Sequence, residues 1–168
     1  MKPFFKTVLL TGLFVGVTDI MAAHIHVWIQ SGNFPTRVFQ YIAGGALGLE
    51  TSMKGGIGIA LLGVFFHFFI ATAWTFFFFI IFPKLKFLQF NKYIIGMLYG
   101  FFVGACMTFL VLPLTALPGS PFVFSKAIVG WIILGTVLGI PIAISAYRYY
   151  GSEQGAVSSE QSAVSSDQ

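Results

Sequence analysis

The sequence predicts an all-α polytopic membrane protein: a bundle of four transmembrane helices with a short interfacial helix between the first and second. Three observations predict it. Hydrophobic residues occupy 57% of 168 positions and charged residues only 8%, whereas a soluble domain needs about 25% charged residues to face water. Four stretches stay apolar for the roughly 20 residues required to cross about 30 Å of hydrocarbon. The basic residues sit at the ends of those stretches, where they set topology and meet anionic headgroups. One membrane domain over residues 1–150 fits this length.

The first span runs from about Thr7 to Ile29. Its start, MKPFFKTVLL, imitates a secretory signal, with small residues at Ala22 and Ala23. The apolar run is long, however, and Asp19 interrupts it just before those residues. It reads as an uncleaved first helix. The next segment is SGNFPTRVFQYIAGGALGLETSMKGG. Pro35 can open a helix there and Gly44-Gly45 can close it. Phe34, Val38 and Ile42 recur at spacing four, as do Arg37 and Tyr41, which predicts a short helix on the membrane surface or dipping into it. An ordinary loop helix packed on the bundle fits the same pattern.

The second span covers about 56–82 and carries Phe76 to Phe79 in one block; the third covers about 93–112 and the fourth about 126–147. Pro83, Pro113 and the Pro118/Pro121 pair mark turns, and Pro141 should kink the fourth span. Lys2, Lys6, Lys84, Lys86, Lys92 and Arg148 fall on one side, against Arg37, Lys54 and Lys126 on the other. That asymmetry predicts cytoplasmic termini. Residues 151–168, rich in Ser, Gln, Glu and Ala, are expected to form a disordered cytoplasmic tail.

Ionisable residues inside a span are costly and normally face the bundle interior. On the first helix Gly12, Gly16, Asp19, Ala23, His26 and Gln30 share one stripe. His24 points the opposite way, toward the interface. On the second, Gly56, Ala60, Gly63, His67, Ala71 and Trp74 form a face of mostly small residues. The third has Gly96, Gly100, Gly104 and Thr108 at spacing four, and the fourth has Gly135 and Gly139. These are close-packing seams. The lipid-facing remainder includes Phe101, with Trp28, Tyr93, Tyr147, Tyr149 and Tyr150 near the interfaces.

Asp19, His26 and His67, with Gln30 beside them, form the candidate polar core. A carboxylate and imidazoles in low dielectric can relay protons or cations. The same groups can instead satisfy neighbouring backbone, or bind lipid or a small solute. His24-Ile25-His26 places two rings on different helix faces, and no cysteine or acid cluster joins them, so no metal site is expected. No nucleophile sits beside a base and no phosphate loop is present, so neither catalysis nor a cofactor is expected. Cys106 is the single cysteine; it excludes an intrachain disulfide and reads as a buried structural thiol. Basic residues confined to span ends do not point to nucleic acid. The expected partners are the lipid bilayer and, through the glycine faces, a second copy or another membrane protein.

GIGIALLGVFFHFFIATAWTFFFFIIFPKLKF followed by YIIGMLYGFFVGACMTFLVLPLTALP resembles the YagU-like family of small bacterial inner-membrane proteins. The likeness lies in His67, the Phe82-Pro83-Lys84 exit, the Gly-rich third span and the Pro113-Leu114 turn. TDIMAA (Thr18 to Ala23) and RVFQYIAGG (Arg37 to Gly45) look like elements of related membrane proteins. The resemblance covers residues 55–118 best. It implies a bacterial inner-membrane location and a role in tolerance of acid or envelope stress, and it brings no catalytic residues. The expected function is thus transport or membrane homeostasis through the Asp/His core. The alternative is a structural or assembly protein whose glycine faces bind partner helices or itself.

Overall fold

The structure is a computed structural model that describes residues 3–32, 37–119 and 122–152. Every regular element among those residues is helical: α1 (Phe4–Ser31), α2 (Val38–Leu47), α3 (Leu49–Lys54), α4 (Ile57–Ile81), α5 (Lys92–Leu114) and α6 (Phe124–Ser152), with a short 3-10 helix at Lys86–Gln89. Of these, α1, α4, α5 and α6 are long and apolar enough to cross a membrane. The shortest, α5, has 23 residues, about 34 Å at 1.5 Å per residue, which exceeds the hydrocarbon thickness. The four predicted spans lie within these helices to a few residues at each end; α6 runs five residues past Tyr147, to Ser152.

Glycine contacts decide how the spans pair. A Cβ at Gly96 would meet the backbone of Ile140, one at Gly100 the backbone of Gly135, and one at Gly104 the Trp131 ring. As α5 ascends, its partners on α6 descend, so the two helices are antiparallel with their backbones in contact. Gly135 and Gly139 return the contact through Met97, Gly96 and Gly100. On the other side of the bundle, Gly12 meets Thr72 and Gly16 meets Phe68, which presses α1 onto α4, again antiparallel. Gly63 is covered by the backbone of Phe39 on α2. These faces are all occupied by helices of the same chain.

The segment between the first two spans differs from the single helix expected. The glycine pair does not end α2. The helix continues through Gly44 and Gly45 to Leu47, because Gly44 lies against Ser52 and Leu117 and a side chain there would collide with them. Gly48, at φ 82°, makes the break instead, and α3 follows at once. Gly45 also accepts a hydrogen bond from the Ala116 N–H at 2.8 Å, which ties α2 to the loop after α5. The proposed opening at Phe34 and Pro35, together with Lys2, Pro121 and residues 153–168 of the tail, lies outside the described residues.

Both intraspan prolines follow a widened turn. Met107–Val111 of α5 is π-helical and precedes Pro113; Gly135–Gly139 of α6 is π-helical and precedes Pro141. A proline ring collides with the carbonyl four residues earlier and supplies it no N–H; a local π turn relieves the collision. For Pro141 that carbonyl belongs to Val137. The Thr18 hydroxyl of α1 donates to it at 2.9 Å, so a side chain from the neighbouring helix replaces the missing backbone donor.

Two placements toward lipid are corrected. Tyr149 is 6% exposed, and Tyr147 and Tyr150 pack against the core beside Phe79 and Phe82. Their hydroxyls have inward partners: Tyr147 donates to the Leu88 carbonyl at 2.8 Å and Tyr150 to that of Phe79 at 2.7 Å. A tyrosine near the interface can turn its ring inward when a free carbonyl is in reach. Phe101 is half-buried on the Trp131 ring at 6.3 Å, because Gly104 draws that indole onto α5. Leu98 on the same helix is open on its outer side, at 59% exposure.

Gly100→Leu should therefore drive α5 and α6 apart and cost at least the roughly 1–3 kcal/mol typical of overpacking. Leu98→Ala should have little effect. Thermal unfolding in detergent checks this, and equal midpoints for the two variants would mean that the seam does not hold the pair.

Candidate functional site: an intramembrane cavity

Asp19 lies near the middle of α1, about 22 Å along the helix at 1.5 Å per residue. His67 lies close to the middle of α4. Because Gly16 brings α4 onto α1, the His67 Nε2 reaches the Gly16 carbonyl at 2.8 Å. A carbonyl can only accept, so Nε2 carries the proton. In the neutral ring Nδ1 is then the bare acceptor.

The two residues open onto one cavity of about 140 Å³. Ile70, Ala71 and Trp74 of α4 line it beside His67. Val103 and Met107 come from α5, Leu134 and Leu138 from α6, and Ile42 reaches in from α2. The cavity lies at the level of both π turns, since Met107 begins one and Leu138 belongs to the other. Backbone irregularity at membrane depth is tolerated where it faces a cavity or packed protein. Toward the end of the bundle that holds Phe4 and Tyr149, the space is closed by a solid core that includes Val15, Phe78 and Ile142.

Asp19 is half-buried, and among the described residues no N–H or O–H donates to its carboxylate. Among the described residues no buried side-chain oxygen or nitrogen lacks a partner, so the carboxylate oxygens border open space. His67 lines the same cavity beside that carboxylate. No protein-family model, curated protein or solved structure matches this chain. The chemistry of the cavity must therefore be read from its own residues.

Of the predicted polar core, Asp19 and His67 meet in this cavity. His26 and Gln30 lie farther along α1 and bond each other, Nε2 to Nε2 at 2.9 Å, with Gln30 exposed. His24 faces α2 rather than the interface: its Nδ1–H donates to the Ile20 carbonyl at 2.7 Å and its ring lies 5.9 Å from Phe39. Sequence reasoning overlooked Thr18, yet a signal existed. A proline inside a span frees a known carbonyl, and a hydroxyl at matching depth on another helix is the natural donor.

A carboxylate at bilayer depth with no hydrogen-bond donor costs stability, on the order of 2.5–3.5 kcal/mol on insertion scales. Asp19→Leu should leave the folded protein as stable as wild type or more so, whereas His67→Leu, which removes the hydrogen bond joining α4 to the Gly16 carbonyl of α1, should destabilise it. Unfolding midpoints in detergent distinguish them. Marked destabilisation by Asp19→Leu would make this carboxylate a structural group.

Proposed function

We propose that the protein is a transporter of the cytoplasmic membrane whose Asp19–His67 pair takes up and releases protons as a small solute crosses. One observation carries the proposal: two ionisable side chains from different helices share a cavity midway along their spans, and one of them, Asp19, has no hydrogen-bond donor among the described residues. Charged groups at that depth are costly, and where they serve only packing they are hydrogen-bonded. The seam glycines favour this reading over a scaffold that recruits partner helices, because their faces are already filled from within the chain. The prolines and π turns on α5 and α6 flank the cavity and give those helices places to bend.

The same proposal places the protein in a bacterial inner membrane with both termini inside. Its support is the lysine asymmetry and the resemblance to YagU-like proteins, which also suggests acid or envelope stress as the setting. In the alternating bundle Lys6, Lys84, Lys86, Lys92 and Arg148 lie at one end, against Arg37, Lys54 and Lys126 at the other. Positive residues mark the cytoplasmic side. Glu50 and Lys54 pair at 2.6 Å at the opposite end and are both exposed.

Cysteine labelling in a Cys106→Ala background tests the orientation. Ser152→Cys should react only from inside the cell and Thr51→Cys only from outside; the reverse pattern would invert the assignment. Proteoliposomes test the transport. A pH step should drive proton flux through wild type, and both Asp19→Asn and His67→Gln should reduce it to the level of empty liposomes while the variants remain folded. Full flux in both variants would remove the pair from the mechanism.

A further inference from the structure

We infer that the Asp19–His67 cavity receives a small organic monocation, a protonated or quaternary amine, and that this cation and the proton occupy the site in alternation. The inference rests on the transport reading above and specifies its substrate class.

Apart from the indole N–H of Trp74, the polar groups at the cavity accept and do not donate. The Asp19 carboxylate has no donor among the described residues. The His67 Nε2–H is committed to the Gly16 carbonyl, which leaves the Nδ1 lone pair. The Thr18 hydroxyl is committed to Val137. An anion would thus meet a carboxylate of like charge with one indole N–H to offset it. A neutral solute could occupy the site only while Asp19 keeps its proton, and so could not take the proton's place. A divalent metal ion needs four ligand atoms if it is zinc-like and six or more if it is calcium or magnesium, and among the described residues no third His, Cys, Asp or Glu joins Asp19 and His67; the other walls are mostly isoleucine, leucine, valine and methionine.

An amine matches each feature. Its positive head balances Asp19, an N–H can be accepted by His67 Nδ1, and Trp74 contributes an indole of the kind that attracts alkylammonium groups. Its alkyl part suits Ile42, Met107, Leu134 and Leu138. A volume of about 140 Å³ holds several waters at roughly 10–15 Å³ each, and hence a cation of a few heavy atoms. Competition with the proton follows from the charge inventory. His67 on α4 is the other titratable group facing Asp19, while α2, α5 and α6 present only Ile42, Val103, Met107, Leu134 and Leu138 to the cavity. With one carboxylate to balance, either a bound proton or a bound cation makes the site neutral, and carrying both leaves excess positive charge in low dielectric.

The test uses the full chain in nanodiscs of zwitterionic lipid, with methylammonium, tetramethylammonium and tert-butanol, a neutral molecule of similar bulk, as probes. Calorimetry across pH should show saturable binding of both ammonium ions with proton release in acid. Below the pH at which the site titrates, affinity should weaken by about tenfold per pH unit; tert-butanol should not bind. Asp19→Asn should abolish the response and Asp19→Glu should restore part of it, which guards against a folding defect in the amide variant. Trp74→Leu should weaken tetramethylammonium more than methylammonium. Equal binding of tert-butanol, or unchanged ammonium binding in Asp19→Asn, would overturn the inference. Asp19-dependent proton flux without ammonium binding would overturn it too, while leaving the transport reading intact.

Discussion

The backbone contact of α5 with α6 at Gly100 and Gly135 is the constraint on which the rest of the bundle depends. In a bilayer the hydrophobic effect does not drive helices together, since lipid tails are as apolar as leucine. Close van der Waals packing at small residues has to do so. The α1–α4 contact at Gly12 and Gly16 repeats the arrangement. Two tight antiparallel pairs result, joined by larger side chains. Toward the chain termini, Phe78, Phe79, Tyr99 and the tyrosines of α6 fill the space between the pairs. Toward the other end α2 enters with Phe39 and Ile42. Between these two fillings lies the cavity.

The same close packing makes the polar groups affordable. At Gly16 the absent side chain lets α4 approach until His67 can reach the Gly16 carbonyl, so the residue that forms the seam also seats the imidazole. Thr18, two residues on, supplies the donor that Pro141 denies to Val137. Asp19 comes next and is the member of this run without a hydrogen-bond donor among the described residues. Within one turn of α1, then, packing, backbone satisfaction and an unsatisfied carboxylate stand side by side. The contrast sets Asp19 apart from the polar groups that satisfy backbone carbonyls.

The paired π turns give the bundle a second asymmetry. Each precedes a proline, and each contributes a residue to the cavity wall, Met107 from α5 and Leu138 from α6. Helices relieved of strict α geometry at the level of a cavity can change its shape without breaking their remaining hydrogen bonds. The opposite wall, built by α1 and α4, has no such irregularity among the described residues.

The sequence by itself determined the fold class, the four apolar helices to within a few residues of their ends, and the glycine stripes on their faces. These are local properties: hydropathy over a window and angular spacing on a helix can be read without knowing any neighbour. Gly96, Gly100 and Gly104 are legible as a seam for that reason, and Asp19 and His67 as inward-facing polar groups. Only the tertiary structure decided that Asp19 meets His67 while His26 turns to Gln30, because a helical wheel gives a direction around one axis and not which helix stands there or at what depth. It also decided that Gly44 would stay helical while Gly48 broke the chain, and that Tyr149 would face inward. Each of those outcomes depends on an atom distant in sequence: Ser52 and Leu117 against Gly44, and the rings of Phe4 and Phe79 against Tyr149.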